Sequence, residues 1–564
     1  MVLASTYHQV FDPLGHSFGL SSIIAVLPLL TLFVLLGILR LKAWIASLAA
    51  LAVAVLVAVI GYGMGIDQAL IAGTEGAAFG FFPIMWIVIN AIWIYNLTVQ
   101  SGHFDVLRRS FAGVSPDQRI QAIIIAFCFG SLLEALAGFG APVAICAVML
   151  LALGMSPLLA ASLALIADTA PVAFGAIAVP ITTLATVTGL PADQLGAMVG
   201  RQTPVLALFV PFVLAGVVGG LRGVREVWPA ALTAGLVFGL FQFLTSNYIS
   251  IPLTDIVAAL ASAGAVVLLL RFWQPARPML ADGAAGRPRT TAPIVAGGSV
   301  DDPSFVRRNG GDVQDSRGDT ARAYAPYLII IALFTLGQLP PIKDALAGTV
   351  SKFPWPGLHV LSPKGKLVSS GTYNFNWLPA AGTTLLVAGL ITMLVLRVKP
   401  GRALAAYLAT LRQLGFAILT VMAVLALAYV MNDSGQTTSL GKWMAGAGGL
   451  FALLSPLLGW IGVAVTGSDT SSNSLFGALQ VTAAKGAHLN PLLMAAGNSS
   501  GGVVGKMISP QNLAIGASAV GLGGREGDLL RKVLPWTIVF LIGSCVLVYL
   551  QSTSVLSWTV VGGP

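Results

Sequence analysis

Apolar positions along this chain do not alternate with polar ones. They come in blocks long enough for a helix to cross a bilayer, about 20 residues, separated by short segments that carry arginine and lysine. Ser22–Leu39 is closed by Arg40 and Lys42, a second run reaches Gly63, and after a glycine-rich piece containing Glu75 a third covers Phe81–Thr98. The next segment holds Arg108, Arg109 and Arg119. Later runs close at Arg222 and Arg225, at Arg271, at Arg397, Lys399 and Arg402, and before Arg525, Arg531 and Lys532. Basic short loops stay in the cytoplasm, so the pattern places these segments inside and the N-terminus outside. Lys343, Lys352, Lys364 and Lys366 fall in a long segment placed outside, where the rule is weaker.

Two stretches break the pattern. The arms Ile120–Leu136 and Pro142–Leu153 are each short for a crossing and meet at Gly138-Phe-Gly140, which predicts a re-entrant hairpin over 120–153. A run over 157–186 follows, broken at Asp168-Thr-Ala-Pro171. The second half repeats this with a hairpin over 449–484, whose tip is TGSDTSSN from Thr466 to Asn473. Its broken run covers 491–520, interrupted at Gly497–Gly502 and at Lys506–Pro510. Proline removes a backbone donor, and groups freed at such breaks need a protein or water cavity around them. Loop charge sends the first hairpin in from inside and the second from outside. The expected fold is an all-α polytopic membrane protein of two inverted repeats, with about 12 crossings plus two hairpins. Fully crossing hairpins would give about 16 crossings with the same sidedness. Residues 1–271 form the N-terminal membrane half, 272–325 a cytoplasmic linker rich in Gly, Pro, Arg and Asp, and 326–564 the C-terminal half.

Composition excludes a soluble domain: 56% of the 564 residues are hydrophobic and 9% charged, where soluble chains carry about 25%. The formal net charge of +9 sits in short loops, so membrane orientation accounts for it and no nucleic-acid partner is expected. Cys128, Cys146 and Cys545 lie in apolar segments without metal-ligand spacing, and no cofactor or metal is expected. The N-terminus has no basic region before its first apolar run, so no cleaved signal is expected. GxxxxGK[ST], HExxH and a strand-borne GxSxG are missing, which argues against an enzyme and for transport driven by an ion gradient.

An ionisable group at membrane depth marks a substrate or ion pathway. Glu134, Asp168 and Asp469 are the candidate proton carriers, although any of them could instead be a permanently ionised partner of Lys506. Lys506 itself either meets a substrate anion or pairs with Asp469 or Asp168. Helix ends inside the membrane present free N–H groups and a positive dipole end. The glycines and hydroxyls at Gly138, Gly140, Thr169, Ser468, Thr470, Ser471, Asn473, Asn498, Ser499, Ser500 and Gly501 therefore suit a small carboxylate with a neighbouring hydroxyl. The bland reading is that these side chains cap the broken helices. Arg201 reads as an interfacial anchor, Glu75 and Asp433 as capping or interfacial, and His103 and His488 as surface residues.

The blocks GSLLEALAGFGAPVAICAVMLLALG, ADTAPVAFGAIAVPI, TGSDTSSNSLFGALQ and GNSSGGVVGKMISPQNLAIGASAVGL, with NAIWIYNLTVQSGHFDVLRRS upstream, resemble those of the bacterial L-lactate permease family. The resemblance is poorest over 272–325 and 340–376. It implies a multi-pass symporter of the bacterial cytoplasmic (inner) membrane that moves L-lactate, and in many members D-lactate and glycolate, with a proton. It also implies paired hairpins and an elevator-like motion. Sodium in place of the proton, and a carboxylate channel in place of a carrier, stay open, as do monomer and homodimer.

Overall fold

The computed structural model describes residues 6–563 apart from 40, 113, 137, 139, 280–314, 338, 364, 366–367, 369–371 and 524. Most of the expected linker thus lies outside the described residues, as do Arg40, Phe139, Lys364 and Lys366. Among the described residues, ten helices are long and apolar enough to cross a membrane. The count is eleven if Pro157–Ala167 and Val172–Thr188, bent by 64°, are one span. The protein is a mostly helical, polytopic membrane protein, because in lipid each helix satisfies its own backbone.

One of these helices holds two passes. Thr203–Tyr248 turns at Gly220 (φ 62°), and its halves lie against each other, since a Cβ on Gly235 would stand 2.5 Å from the Leu208 carbonyl oxygen and one on Gly239 3.2 Å from that of Pro204. Small residues allow such close approach where no hydrophobic force separates helix from lipid. Gly76 against the Leu425 carbonyl and Gly501 against that of Pro456 are further cases.

Contacts sort the loops onto two faces. On one, β1 (Tyr7–His8) pairs in parallel with β3 (Val360–Leu361), while β2 (Ser351–Pro354) and β4 (Thr372–Phe375) form an antiparallel pair. Hydropathy gave no hint of these strands; their support is aromatic, with the Tyr373 ring 5.6 Å from Phe353 and 5.2 Å from Trp355. Gln68 bonds Gly357 and His359 here, and the Tyr7 hydroxyl donates to Ser434 O at 2.9 Å. The run Ile66–Gln100 carries the chain to the other face. There Arg119 is held by Asp117, Glu226 and the Arg277 carbonyl, and Arg109 pairs with Asp315. Phe18–Ile38 starts beside Tyr62 on the Tyr7 face and ends at the Arg119 face, which therefore carries Lys42.

Gln118–Leu136 is buried along its length, in the protein interior rather than in lipid. Ala141–Ala152 packs beside it. In the second half Phe451–Thr466 and Asp469–Gly486 meet at Gly467 and Ser468, and Pro491–Gly505 is followed by a tight turn at Lys506–Ile508 and by Pro510–Ala519. One expected interruption is corrected: Gly497–Gly502 is continuous helix. Its glycines serve close packing instead, with Gly497 beside Ser455 and Gly501 on Pro456, while the break is confined to Lys506–Ser509, ahead of Pro510. Glu75 and Asp433, expected at caps or interfaces, are fully buried in helices.

Candidate functional site

Pro157–Ala167 stops at Asp168 because Pro171 cannot continue the ladder. After a short 3-10 turn the chain restarts through Ala176, Ile177 and Ala178, all left-handed (φ 45°, 59° and 58°), a conformation that costs about 1–2 kcal/mol per L-residue. This strained turn borders a cavity of about 580 Å³. The opposite wall is the tip Thr466–Ser471, where Ser468 caps its helix by accepting from the Ser471 N–H at 3.3 Å. Asp469 and Thr470 thus lie in the first turn, and the dipole's positive end points into the cavity. Pro510 and Gln511, at the start of another helix, also line it. Lys42, Trp44, Phe416 and Thr420 carry the cavity toward the Arg119 face.

Lys506 joins the two broken segments. Its Nζ lies 2.6 Å from Glu134 Oε1 and 3.0 Å from Asp168 Oδ2, and all three side chains are no more than 6% exposed. One cation therefore serves two carboxylates away from water, and among the described residues Glu134 Oε2 and Asp168 Oδ1 have no hydrogen-bond partner. Buried ion pairs are stable only when geometry and further bonds offset desolvation. Here one ammonium faces two carboxylates, so the charges within the cluster do not balance. Gly175 makes room for it: a Cβ there would stand 2.7 Å from Glu134 Oε1.

Asp469 is the third acid. Its Oδ2 accepts from Ser499 Oγ at 2.5 Å and from Asn473 Nδ2 at 3.2 Å, while Oδ1 faces Gly502 without a partner. Asn473 also reaches the Pro180 carbonyl of the first broken segment, and Asn498 donates to Asn473 Oδ1 at 2.9 Å.

Of the expected site residues, Glu134, Gly138, Ser468, Asp469, Thr470, Ser471 and Lys506 line the cavity. Asp168, Asn473, Asn498 and Ser499 stand behind that wall. Four lie elsewhere: Thr169 bonds the Ile166 carbonyl, Ser500 donates to Gln202 Oε1, Gly501 packs on Pro456, and Gly140 sits beside Ile515 and Asn512. Gly175, Val179, Pro180 and Gln511 line the cavity without having been expected to; only the Pro180 and Pro510 breaks could have signalled them. Arg201 donates to Asn247 Oδ1 and to the Thr559 carbonyl.

A family model described as L-lactate permease matches residues 21–555. The chain belongs to the L-lactate permease family. Over 95% of its length it is 42% identical to the glycolate permease GlcA of Escherichia coli, of which the match covers 96%. Over 98% it is 38% identical to the L-lactate permease of Bacillus subtilis, covering 99% of that protein. Identity to relatives with the two named substrates is too similar to choose between them. Among solved structures, the Alcanivorax borkumensis YdaH transporter aligns over 85% of this L-lactate permease family chain and 86% of its own, at 15% identity and a TM-score of 0.42, too distant to place any element.

Proposed function

We propose that the protein is a secondary active transporter that carries L-lactate and related 2-hydroxymonocarboxylates, D-lactate and glycolate among them, together with a proton across the bacterial cytoplasmic membrane. The observation that carries this reading is Lys506 held between Glu134 and Asp168 at the wall of the cavity. With every acid ionised the centre has one positive and three negative charges, and it repels an anion. A proton on the Glu134–Asp168 pair frees Lys506 Nζ from one partner, so that it can attract a carboxylate alongside the N–H groups that begin the Asp469–Gly486 helix. Proton and anion therefore each favour the other's binding, and movement of the doubly loaded site couples their fluxes.

The breaks at 168–171 and 506–509 belong to the two halves and share this centre, in keeping with inverted repeats and an elevator-like movement of the broken segments. Basic loops on the Arg119 face make it the cytoplasmic one. Uptake of labelled L-lactate into proteoliposomes under an imposed pH gradient tests the reading, with sodium varied separately. Uptake that follows sodium and ignores pH would replace the proton.

A further inference from the structure

One further buried carboxyl, Asp255, lies outside the centre described above. It is 1% exposed at the start of Thr254–Phe272. Its Oδ1 accepts from Gln242 Nε2 at 2.8 Å, while its buried Oδ2 has no hydrogen-bond partner among the described residues. No salt bridge to Asp255 occurs among the described residues. Leaving a charge so placed is expensive, and a carboxyl with no cation beside it carries a proton instead.

Gln242 ties this acid to the centre. The same Nε2 donates at 3.3 Å to the carbonyl of Ala170, two residues beyond Asp168 in the first break. On its other side Gln242 Oε1 accepts from Thr203 Oγ1 at 3.1 Å. The adjacent Gln202 donates to Gln551 Oε1 at 2.9 Å, and Gln551 donates to Thr559 Oγ1 at 3.1 Å. Thr559 lines a hollow of about 400 Å³ with Arg201 and Trp558. That hollow is on the Tyr7 face: Thr203 begins a pass whose far end, Gly219, meets Arg119. The large cavity opens toward Lys42 on the opposite face. Two hydrogen-bonded sets of polar side chains, Thr559–Gln551–Gln202 and Thr203–Gln242–Asp255, joined only by the chain at Gln202–Thr203, therefore lie between the Tyr7 face and the back of the Asp168 break, and among these described residues Asp255 is the one carboxyl.

We propose that Asp255 is the proton-carrying site between the hollow at the Tyr7 face and the Lys506–Glu134–Asp168 centre, with Gln242 as its positioning residue. The proposal rests on proton coupling as read above. The step is a transfer: a proton leaves the Asp255 carboxyl for a carboxylate of the centre, and Asp255 regains one from water in the hollow. Among charged groups on the elements packed around Asp255, Glu134 bears on it from Gly130–Leu136, Asp168 precedes the carbonyl that Gln242 holds, and Arg201 stands beside Gln202.

The test uses the full chain in proteoliposomes and compares net uptake of L-lactate driven by a pH gradient with exchange of lactate for lactate. Exchange needs the loaded site to move but no proton release; net uptake needs both. Asp255→Asn keeps the shape and still accepts from Gln242. It should lower net uptake at least about tenfold and leave exchange close to that of the unaltered protein. Asp255→Glu, which keeps the acid and serves should the first variant fail to fold, should retain net uptake with a shifted pH midpoint. Equal loss of both fluxes, no loss of either, or an unshifted profile for Asp255→Glu would overturn the proposal. Failure of the parent reading is distinct: the unaltered protein would itself ignore the pH gradient.

Discussion

Lys506 Nζ lies 2.6 Å from Glu134 Oε1, although 372 residues separate the two in sequence, and this contact ties the break after Gly505 to the helix Gly130–Leu136. Removing the cation leaves two buried carboxylates, which must take up protons to remain. Lys506→Ala should abolish uptake while the protein still purifies as a monodisperse species. Truncating one partner of a buried pair costs about 3–5 kcal/mol, so its unfolding midpoint should fall. Lys506→Met combined with Glu134→Gln should regain about 1–3 kcal/mol of that loss through coupling, which thermal unfolding in detergent measures. Additive losses would mean that the pair does not interact.

Neutral amides separate the roles of the two acids on Lys506. Glu134→Gln and Asp168→Asn each leave Lys506 one carboxylate, so both variants should still bind lactate. The one that carries the proton should lose uphill uptake about 100-fold or more and keep exchange. If both variants retain a normal pH dependence, neither acid titrates during the cycle.

Gly175→Ala tests the packing behind the centre. The new methyl would stand 2.7 Å from Glu134 Oε1, and that side chain could yield only by lengthening its contact with Lys506. Overpacking costs about 1–3 kcal/mol, and uptake should fall with it. Gly175→Ala transport equal to that of the unaltered protein would show that Glu134 can leave Lys506 freely.

Outside the membrane, Asp117 gives a pH dependence of stability. Burial pushes its carboxyl up, but the Arg119 guanidinium and the backbone N–H groups of Met279 and Arg119 outweigh this and hold it below the ordinary range. A depressed folded value means that its contribution is complete above the unfolded value, about 3.9, and is lost as pH falls through the folded one. Asp117→Asn should therefore lower the unfolding midpoint at pH 7, with the difference shrinking below about pH 4. A pH-independent difference would place the effect in packing alone.

Much of this was legible in the sequence, because membrane burial makes each polar residue conspicuous. Glu134, Asp168, Asp469 and Lys506 stand out in apolar blocks, and Pro171 and Pro510 mark where helices must stop. Pairing was not legible: nothing in either block says that Lys506 meets Glu134 rather than Asp469. The left-handed turn at Ala176–Ala178 has no glycine to announce it, and it holds only because the surrounding helices enforce it. Gly497–Gly502 misled in the other direction, since glycines that break a lone helix also let helices touch. Asp255 opens an ordinary-looking span, and only its orphaned oxygen sets it apart.

The central claim is that protonation of the Glu134–Asp168 pair admits the carboxylate to Lys506. Its most direct test is the proton change on L-lactate binding to purified protein, measured with a pH-sensitive dye in weakly buffered detergent solution. Uptake of protons with bound lactate, lost in Lys506→Ala, is the result predicted. Lactate binding with no proton uptake would contradict the account.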